Sequence, residues 1–280
     1  MPDLATVRYA VEGHVCTLTM DRPEVANAQD TRLIDDLDAA FDAAGADDEV
    51  RVVILTGAGR HFSSGHDLKA LVGDVEADEW RRMRDTPEGK FQHEKIMYFD
   101  RCLRIRDFPK PTIAAVNGSC VAAGLMLACM CDLIVAADDA VFSNPVLRMT
   151  GAAVEILVEP WEMPPRKAKE FLLAAESFSA DEAERLGMVN RVVPAAALMD
   201  EALTMAREIA ARMGFEPSAV ELIARLVRWH LLLSETATTR SAPLRIMVKA
   251  SASGMRVARP SAKVSDEGVG TGSPAAKDLA

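Results

Sequence analysis

The sequence predicts an α/β protein built around a mostly parallel sheet. Uninterrupted apolar runs of four or five residues recur at 52–55, 113–116 and 133–137. Such runs, without polar alternation, are typical of strands buried on both faces. Helical periodicity or a long connection separates the runs, and parallel strands require crossovers of this kind. The buried strands and the crossover segments between them together predict the α/β fold class.

The first elements can be predicted individually. Residues 7–10 and 15–20 alternate apolar and polar side chains around a short Gly-containing turn, which predicts an antiparallel hairpin. Between residues 30 and 46, apolar side chains recur on one helical face. Either Asp30 or Thr31 is placed to cap this helix at its N-terminus. The order strand, strand, helix, strand is expected up to the first buried run.

Two stretches place small residues directly after buried strands. The segment 57–69 is rich in Gly and Ser and ends beside Lys69, although many such loops are only connections. The segment 111–132 runs from a strand through Ala122-Ala123-Gly124 into an apolar helix. Free backbone N–H groups at a helix N-terminus can bind an oxygen anion, and small residues allow its close approach. We expect the second stretch to be the organising element of the site.

The remaining segments are mainly helical. The charged stretch 74–100 is expected to be helical and to border a pocket, and a helix is predicted over 95–107. After residue 144 the pattern predicts helices at 165–175, 180–187 (with Ser179 as N-cap), 196–213 and 219–233, and a strand at 189–193. The expected organisation is a core over 1–195, a helical region over 196–253, and a disordered Gly-, Pro-, Ser- and Ala-rich tail over 254–280.

Composition limits the function classes. A net charge of −10 argues against a nucleic-acid partner, which requires clustered Lys and Arg. The five cysteines lack zinc-ligand spacing and are interpreted as reduced core thiols. The sequence predicts neither a signal peptide nor an apolar run of membrane-spanning length. We expect a cytoplasmic protein with no metal and no membrane partner.

Four separated motifs carry a resemblance to a known family. They are DRPEVANA (21–28), RHFSSGHDLK (60–69), PTIAAVNGSCVAAGLMLACMCDLIVA (111–136) and SADEAERLGMVNRVVP (179–194). In this order the motifs resemble the crotonase superfamily, the enoyl-CoA hydratase/isomerase group of acyl-CoA enzymes. The resemblance implies a spiral of β-β-α turns with two nearly perpendicular sheets and a C-terminal helical trimerisation region. It also implies a homotrimer, or a homohexamer formed by two trimers.

The resemblance further implies a chemistry. Family members hold a thioester carbonyl between two backbone N–H groups so that an enolate can form. Matching the motifs places these donors at His66 and Ala123. Coenzyme A then enters as part of the substrate thioester, and no permanently bound cofactor is expected. The positions implied to contact coenzyme A are Arg22, Val25, Ala26, Ser64, His66, Asp67, Leu68 and Lys69, with Lys69 and Arg22 facing phosphates.

The sequence departs from the family where hydratases hold two glutamates. The matching positions are Met126 and Val146, which cannot transfer a proton and are instead expected to line an apolar acyl pocket. Some relatives carry an acid further along, at a position matched by Val154. A register change of one residue would bring Glu155 to the substrate as acid/base, the alternative being a solvated or salt-bridged surface glutamate.

Three other side chains are candidates for the acid or base. Glu159 and Glu162 are expected on a helix face near Arg166 and Lys167, although either is a weaker candidate for the acid. The ring of His66 could serve as acid or base, but its position is selected for the main-chain donor.

The prediction is an acyl-CoA enzyme that stabilises a thioester enolate and favours isomerase-type proton transfer. An atypical or weak enoyl-CoA hydratase is the alternative within the family. A catalytically degenerate acyl-CoA-binding protein is the alternative from another class.

Overall fold

A computed structural model describes residues 3–69, 85–150 and 154–212, and these form a mixed α/β fold with two sheets. The strands are β1 (Val7–Glu12), β2 (Val15–Met20), β3 (Val52–Gly57), β4 (Thr112–Val116), β5 (Ser119–Val121), β6 (Leu133–Ala137), β7 (Val141–Ser143), β8 (Ser177–Ser179) and β9 (Arg191–Val193). The helices are α1 (Thr31–Ala46), α2 (Pro87–Glu94), α3 (Asp100–Arg106), α4 (Ala123–Met130), α5 (Val146–Thr150), α6 (Glu159–Glu162), α7 (Pro165–Ala174), α8 (Ala180–Leu186) and α9 (Leu198–Arg212).

The larger sheet has the strand order β1-β2-β3-β4-β6-β9, and only the β1–β2 pair is antiparallel. The smaller sheet has the order β5-β7-β8, with β5 and β7 parallel. Every residue of β3 and β4 is buried, as expected for central parallel strands. The carboxyl ends of these two strands lie at the same edge of the sheet, and both lead into the small-residue loops.

Local capping explains where two predicted helices begin. The Asp30 side chain accepts a hydrogen bond of 2.8 Å from the Leu33 N–H, so Asp30 rather than Thr31 caps α1. The Ser179 hydroxyl accepts from the Glu182 N–H at 3.2 Å and caps α8, as predicted. Both caps satisfy an N–H group that has no partner within its helix.

The structure corrects several expected elements. A regular helix over 95–107 is wrong, because Lys95–Phe99 forms a π-helical turn between α2 and α3. The strand predicted at 189–193 contains only the three residues of β9. The three short strands β5, β7 and β8 were not predicted, because three residues are too few to establish a periodicity. The predictions for residues 74–84, 219–233 and 254–280 lie outside the described residues.

Helix α9 lies on the larger sheet, against β2, β3, β4 and β6. Its Ala202 and Ala206 are fully buried, and side chains this small allow close contact between a helix and a sheet. The part of the predicted C-terminal helical region that the structure describes therefore contributes to the core. The proposed boundary after residue 195 stays a prediction.

Candidate active site

The loop after β3 crosses the loop after β4 at the edge of the larger sheet. The Val121 N–H donates to the Ser63 carbonyl at 3.0 Å, which fixes β5 beside the first loop. On the other side of that loop, the Gln29 N–H donates to the Gly65 carbonyl at 2.8 Å. Both sides of residues 63–67 are thus held by backbone hydrogen bonds, and a ligand at this position would meet a fixed main chain.

Gly65 brings the two loops into close contact. Its φ is +89°, a conformation that side chains other than hydrogen rarely adopt. A Cβ atom at this position would lie 3.0 Å from the Val121 carbonyl oxygen and 3.3 Å from the Ala123 nitrogen. The loop therefore passes the start of α4 at van der Waals distance. His66, the next residue in the loop, is placed near Ala123.

An unusual backbone turn precedes α4. Ala122 has φ 50° and ψ −113°, and its N–H donates to the Ser143 carbonyl at 2.9 Å. The turn makes Ala123 the first residue of the helix, where an N–H has no helical acceptor. Backbone strain of this kind is common where a main-chain group is presented to a ligand.

The N–H groups of His66 and Ala123 make no hydrogen bond with any described residue. Ala123 is fully buried, so its N–H is also withheld from bulk water. Buried backbone donors are almost always paired in folded proteins. Two free donors on adjacent loops, one of them at a helix N-terminus, form an arrangement that can hold an oxygen anion.

His66 and Glu155 are joined directly. Their Nε2 and Oε2 atoms lie 3.0 Å apart, with only 12% and 16% of the two side chains exposed. Glu155 is therefore paired with His66 rather than solvated, and Val154 before it is buried. The role of Glu155 as acid/base, rather than as a salt-bridged glutamate only, stays a prediction. Burial acts to raise the pKa of Glu155, but the hydrogen bond and charge interaction with His66 outweigh it, so the pKa lies below 4.5.

Tyr98 covers the ring of His66. The two ring centroids lie 4.1 Å apart with the planes tilted by 46°. The ring centroids of His93 and Tyr98 lie 5.9 Å apart in an edge-to-face arrangement. Tyr98 lies in the π-helical turn, which changes the direction in which side chains leave the helix. Neither Tyr98 nor His93 was predicted as a site residue. Tyr98 lies in a π-helical turn, which has no periodic signal in the sequence, and His93 lies on α2 just before that turn.

An apolar cleft opens between α1 and α3. Its apolar walls include Ile34, Leu37, Phe41, Cys102 and Ile105. Tyr98 and Met126 also line it, which brings the cleft to the residues around His66 and Ala123. The cleft has the apolar walls that a hydrocarbon chain would occupy.

The two pocket residues predicted from the sequence are placed differently. Met126 is fully buried on α4, three residues after Ala123, and lines the cleft. Val146 is half-exposed at the start of α5 and is not among the described residues that line it. The structure therefore brings Met126 into the cleft and leaves Val146 outside its described walls.

Most of the residues predicted to contact coenzyme A form one exposed rim beside the loop crossing. The Ser64 N–H donates to the Ala26 carbonyl at 3.0 Å, which holds the first motif against the second. Val25, Leu68 and Lys69 are exposed around this contact, with Ala26 half-exposed. The rim offers apolar contacts and one cation, Lys69.

Arg22 differs from its predicted role. Its guanidinium is only 16% exposed and pairs with Asp30 at 3.0 Å and Asp67 at 3.2 Å. It also donates to the Ala28 carbonyl. An arginine whose charge is neutralised by two carboxylates is a poor phosphate ligand, so we assign Arg22 and Asp67 to holding the two motifs together.

Glu159 and Glu162 lie on a helix, α6, as predicted, but their surroundings differ from the expectation. Glu159 is fully buried, and its Oε1 accepts from Asn144 Nδ2 at 2.7 Å. Burial raises the pKa of Glu159, and raises the pKa of Glu162 to about 7. Neither side chain lines the cleft beside Tyr98. No link from either glutamate to Arg166 or Lys167 is found within the described part of the chain.

Three further features bear on the kind of site: potential metal ligands, apolar helices and cysteine thiols. Within residues 3–69, 85–150 and 154–212, no group of three potential metal ligands comes together. No helix in these ranges has the length and apolarity that crossing a membrane requires. All five cysteines are buried free thiols, and burial raises the pKa of Cys102 to about 12.

The mixed α/β fold and the paired loops define a crotonase-fold protein. The model of the protein family described as "Enoyl-CoA hydratase/isomerase" matches residues 10–224 of the chain. The chain therefore belongs to the enoyl-CoA hydratase/isomerase family.

Three relatives illustrate the similarity. A crystal structure of a probable enoyl-CoA hydratase from Mycobacterium smegmatis is 43% identical, covers 82% of this chain and 87% of that one, and has a TM-score of 0.72. An enoyl-CoA hydratase/isomerase from Xanthobacter autotrophicus Py2 is 36% identical, with 86% of each chain covered and a TM-score of 0.73. A carnitinyl-CoA dehydratase of Citrobacter koseri is 32% identical over 80% of each chain.

Proposed function

We propose that this acyl-CoA enzyme moves a proton between carbons of an unsaturated acyl-CoA, an isomerase-type reaction. The observation that carries the proposal is the pair of free N–H groups on His66 and Ala123, with Glu155 attached to the side chain of His66. The N–H pair would hold the thioester oxygen, and removing one donor of this kind typically costs about 3–4 kcal/mol of transition-state stabilisation. Glu155 is the acid/base.

The proposed step balances with one base. The Glu155 carboxylate takes a proton from the α-carbon of a 3-enoyl thioester, and the electron pair moves to the oxygen held by His66 and Ala123. Glu155 then returns the proton to the γ-carbon, and the double bond moves next to the thioester. Its low pKa keeps Glu155 ionised and ready to accept a proton at neutral pH.

The acyl chain is assigned to the cleft between α1 and α3, with Met126 near its thioester end. The coenzyme A portion is assigned to the rim formed by Val25, Ala26, Ser64 and Leu68, with Lys69 facing phosphate. An anionic cofactor is compatible with a net charge of −10, because the charge that matters is local.

The experiment is to incubate the purified protein with 3-enoyl-CoA thioesters of several lengths and identify products by mass spectrometry and ultraviolet absorbance. Conjugated 2-enoyl-CoA is expected from the wild type and not from Glu155→Gln. A 3-hydroxyacyl-CoA product from 2-enoyl-CoA, with no isomerisation, would instead support the hydratase alternative. That alternative is favoured by the names of the relatives, and opposed by Met126 and Val146 at the positions of the family's two glutamates.

A binding protein without catalysis is the third candidate, supported by the same two replacements. Tight binding of coenzyme A thioesters with neither product, over the same substrates, would select it. We further propose a homotrimer or homohexamer by family resemblance, which sedimentation equilibrium would test. The five buried free thiols support a reducing compartment, and we propose the cytoplasm.

A further inference from the structure

We infer that His66 acts through its side chain as well as its backbone: the imidazole is a positioning residue that holds Glu155 at the reacting carbon. The inference rests on the proposed function for its catalytic meaning. One residue would then connect both halves of the site. Its N–H would bind the thioester oxygen, and its ring would carry the base.

The hydrogen-bond pattern of the ring supports this role. Nε2 lies 3.0 Å from Glu155 Oε2, while Nδ1 is buried and has no hydrogen-bond partner among the described residues. A histidine that served only to fix its own loop would be expected to bond that loop's main chain. Among the described residues, the single polar contact of the ring is the carboxylate, 89 positions away in the sequence.

Packing fixes the plane of the ring. Tyr98 lies against it at 4.1 Å, and Tyr98 itself packs with Ile34 and Met97 in a small buried cluster. The ring therefore cannot turn without displacing buried side chains. The backbone N–H and the ring belong to the same residue, His66. Fixing the loop and the ring therefore also fixes the distance from the N–H group to Glu155.

Few other titratable groups act on Glu155. Cys102 on α3 lines the same cleft and interacts electrostatically with Glu155, but its thiol is neutral below a pKa of about 12. Tyr98 and His93 lie beyond the His66 ring. His66 is thus the group whose hydrogen bond and charge oppose the effect of burial on Glu155. Without it, only a backbone hydrogen bond of Glu155 would oppose burial, and the pKa of the carboxyl is expected to rise.

The experiment replaces the ring without touching the backbone donor. His66→Phe keeps a flat ring against Tyr98 and removes the hydrogen bond, whereas His66→Gln restores an N–H donor. In protein labelled with [5-¹³C]glutamate, the Glu155 signal is identified by its loss in Glu155→Gln. Its pKa is expected to lie below the ordinary glutamate value in the wild type and to rise in His66→Phe, with His66→Gln between them.

Proton exchange is followed on the same variants. For His66→Phe, the pH below which the exchange rate falls is expected to move upward. At a fixed pH below that point, each unit by which the Glu155 pKa rises lowers the exchange rate about ten-fold. Binding of a saturated acyl-CoA is measured on the same variants, so that a loss of affinity is separated from a change in the exchange rate. An unchanged Glu155 pKa in both folded variants would overturn the inference. Absence of exchange in the wild type with a shifted pKa would instead contradict the proposed function, and leave the His66–Glu155 interaction established.

Discussion

The α-carbon of Gly65 lies so near Ala123 that a methyl group on it would stand 3.3 Å from the Ala123 nitrogen. This contact joins the two loops that carry the free N–H groups. It explains why a glycine is needed at a position where φ is +89°.

Gly65→Ala is therefore expected to reduce catalysis beyond its effect on stability. The methyl group would push the loops apart, and loss of one oxyanion donor lowers kcat by about 10²–10³-fold. Gly187→Ala is the matched control, since Gly187 has φ +88° with no atom within 4 Å of the added methyl. Both should lose roughly 1–2 kcal/mol of stability from backbone strain. Equal activity in the two variants, measured as kcat/KM, would remove Gly65 from the site.

Lys69→Ala is expected to weaken binding of coenzyme A thioesters by about three- to five-fold at low salt, the effect of one exposed ion pair. The difference from wild type should shrink as salt screens the charge. Isothermal titration with a non-reactive saturated thioester measures it. Lys169→Ala, which removes an exposed lysine from α7, is the control and should bind normally. A salt-independent loss for Lys69→Ala would point to a non-electrostatic role.

Ile105→Phe is expected to shorten the preferred acyl chain. Ile105 lines the cleft, so a larger side chain there should lower kcat/KM for long-chain substrates by about ten-fold and spare short ones. Leu103→Phe, on the same helix but outside the cleft lining, is the control. The two variants are compared across a series of acyl lengths. Loss of activity that is uniform over that series would show that the chain lies elsewhere.

Glu162 is expected to limit stability at alkaline pH. Burial raises its pKa from 4.5 to about 7, so the folded protein holds a proton that the unfolded chain releases in this window. Its contribution is unfavourable above pH 7 and disappears below pH 4.5.

Glu162→Gln should therefore raise the free energy of unfolding by about 1–2 kcal/mol at pH 8, reduced from the full linkage value by partial exposure, and by little at pH 4.5. Denaturant titration at both pH values measures the change. The exposed Glu176→Gln is the control. A stabilisation that is the same at both pH values would exclude titration of Glu162 as its cause.

Sequence reasoning could find the elements that carry their own pattern. The buried runs that became β3, β4 and β6, and the Asp30 cap of α1, depend on residues close together in the chain. The free N–H groups of His66 and Ala123 lie on the loops that the motifs indicated.

Contacts between distant residues could not be found in this way. Glu155 was identified as a candidate, but its bond to the His66 ring depends on the relative placement of two loops. Arg22 looks like a free cation in the sequence and is neutralised by Asp30 and Asp67 only after folding. Tyr98 reaches His66 because a π-helical turn interrupts a helix, and local composition does not encode that interruption.

The measurement that tests the account most directly is exchange of carbon-bound protons in deuterated water, followed by mass spectrometry of saturated and 3-enoyl-CoA substrates. The wild type is expected to incorporate deuterium next to the thioester, and at the γ-carbon of the 3-enoyl substrate. Glu155→Gln should lose this exchange by about 10²–10⁴-fold while still binding the thioester. Full exchange in folded Glu155→Gln would contradict Glu155 as the base, and no exchange in the wild type would contradict enolate formation itself.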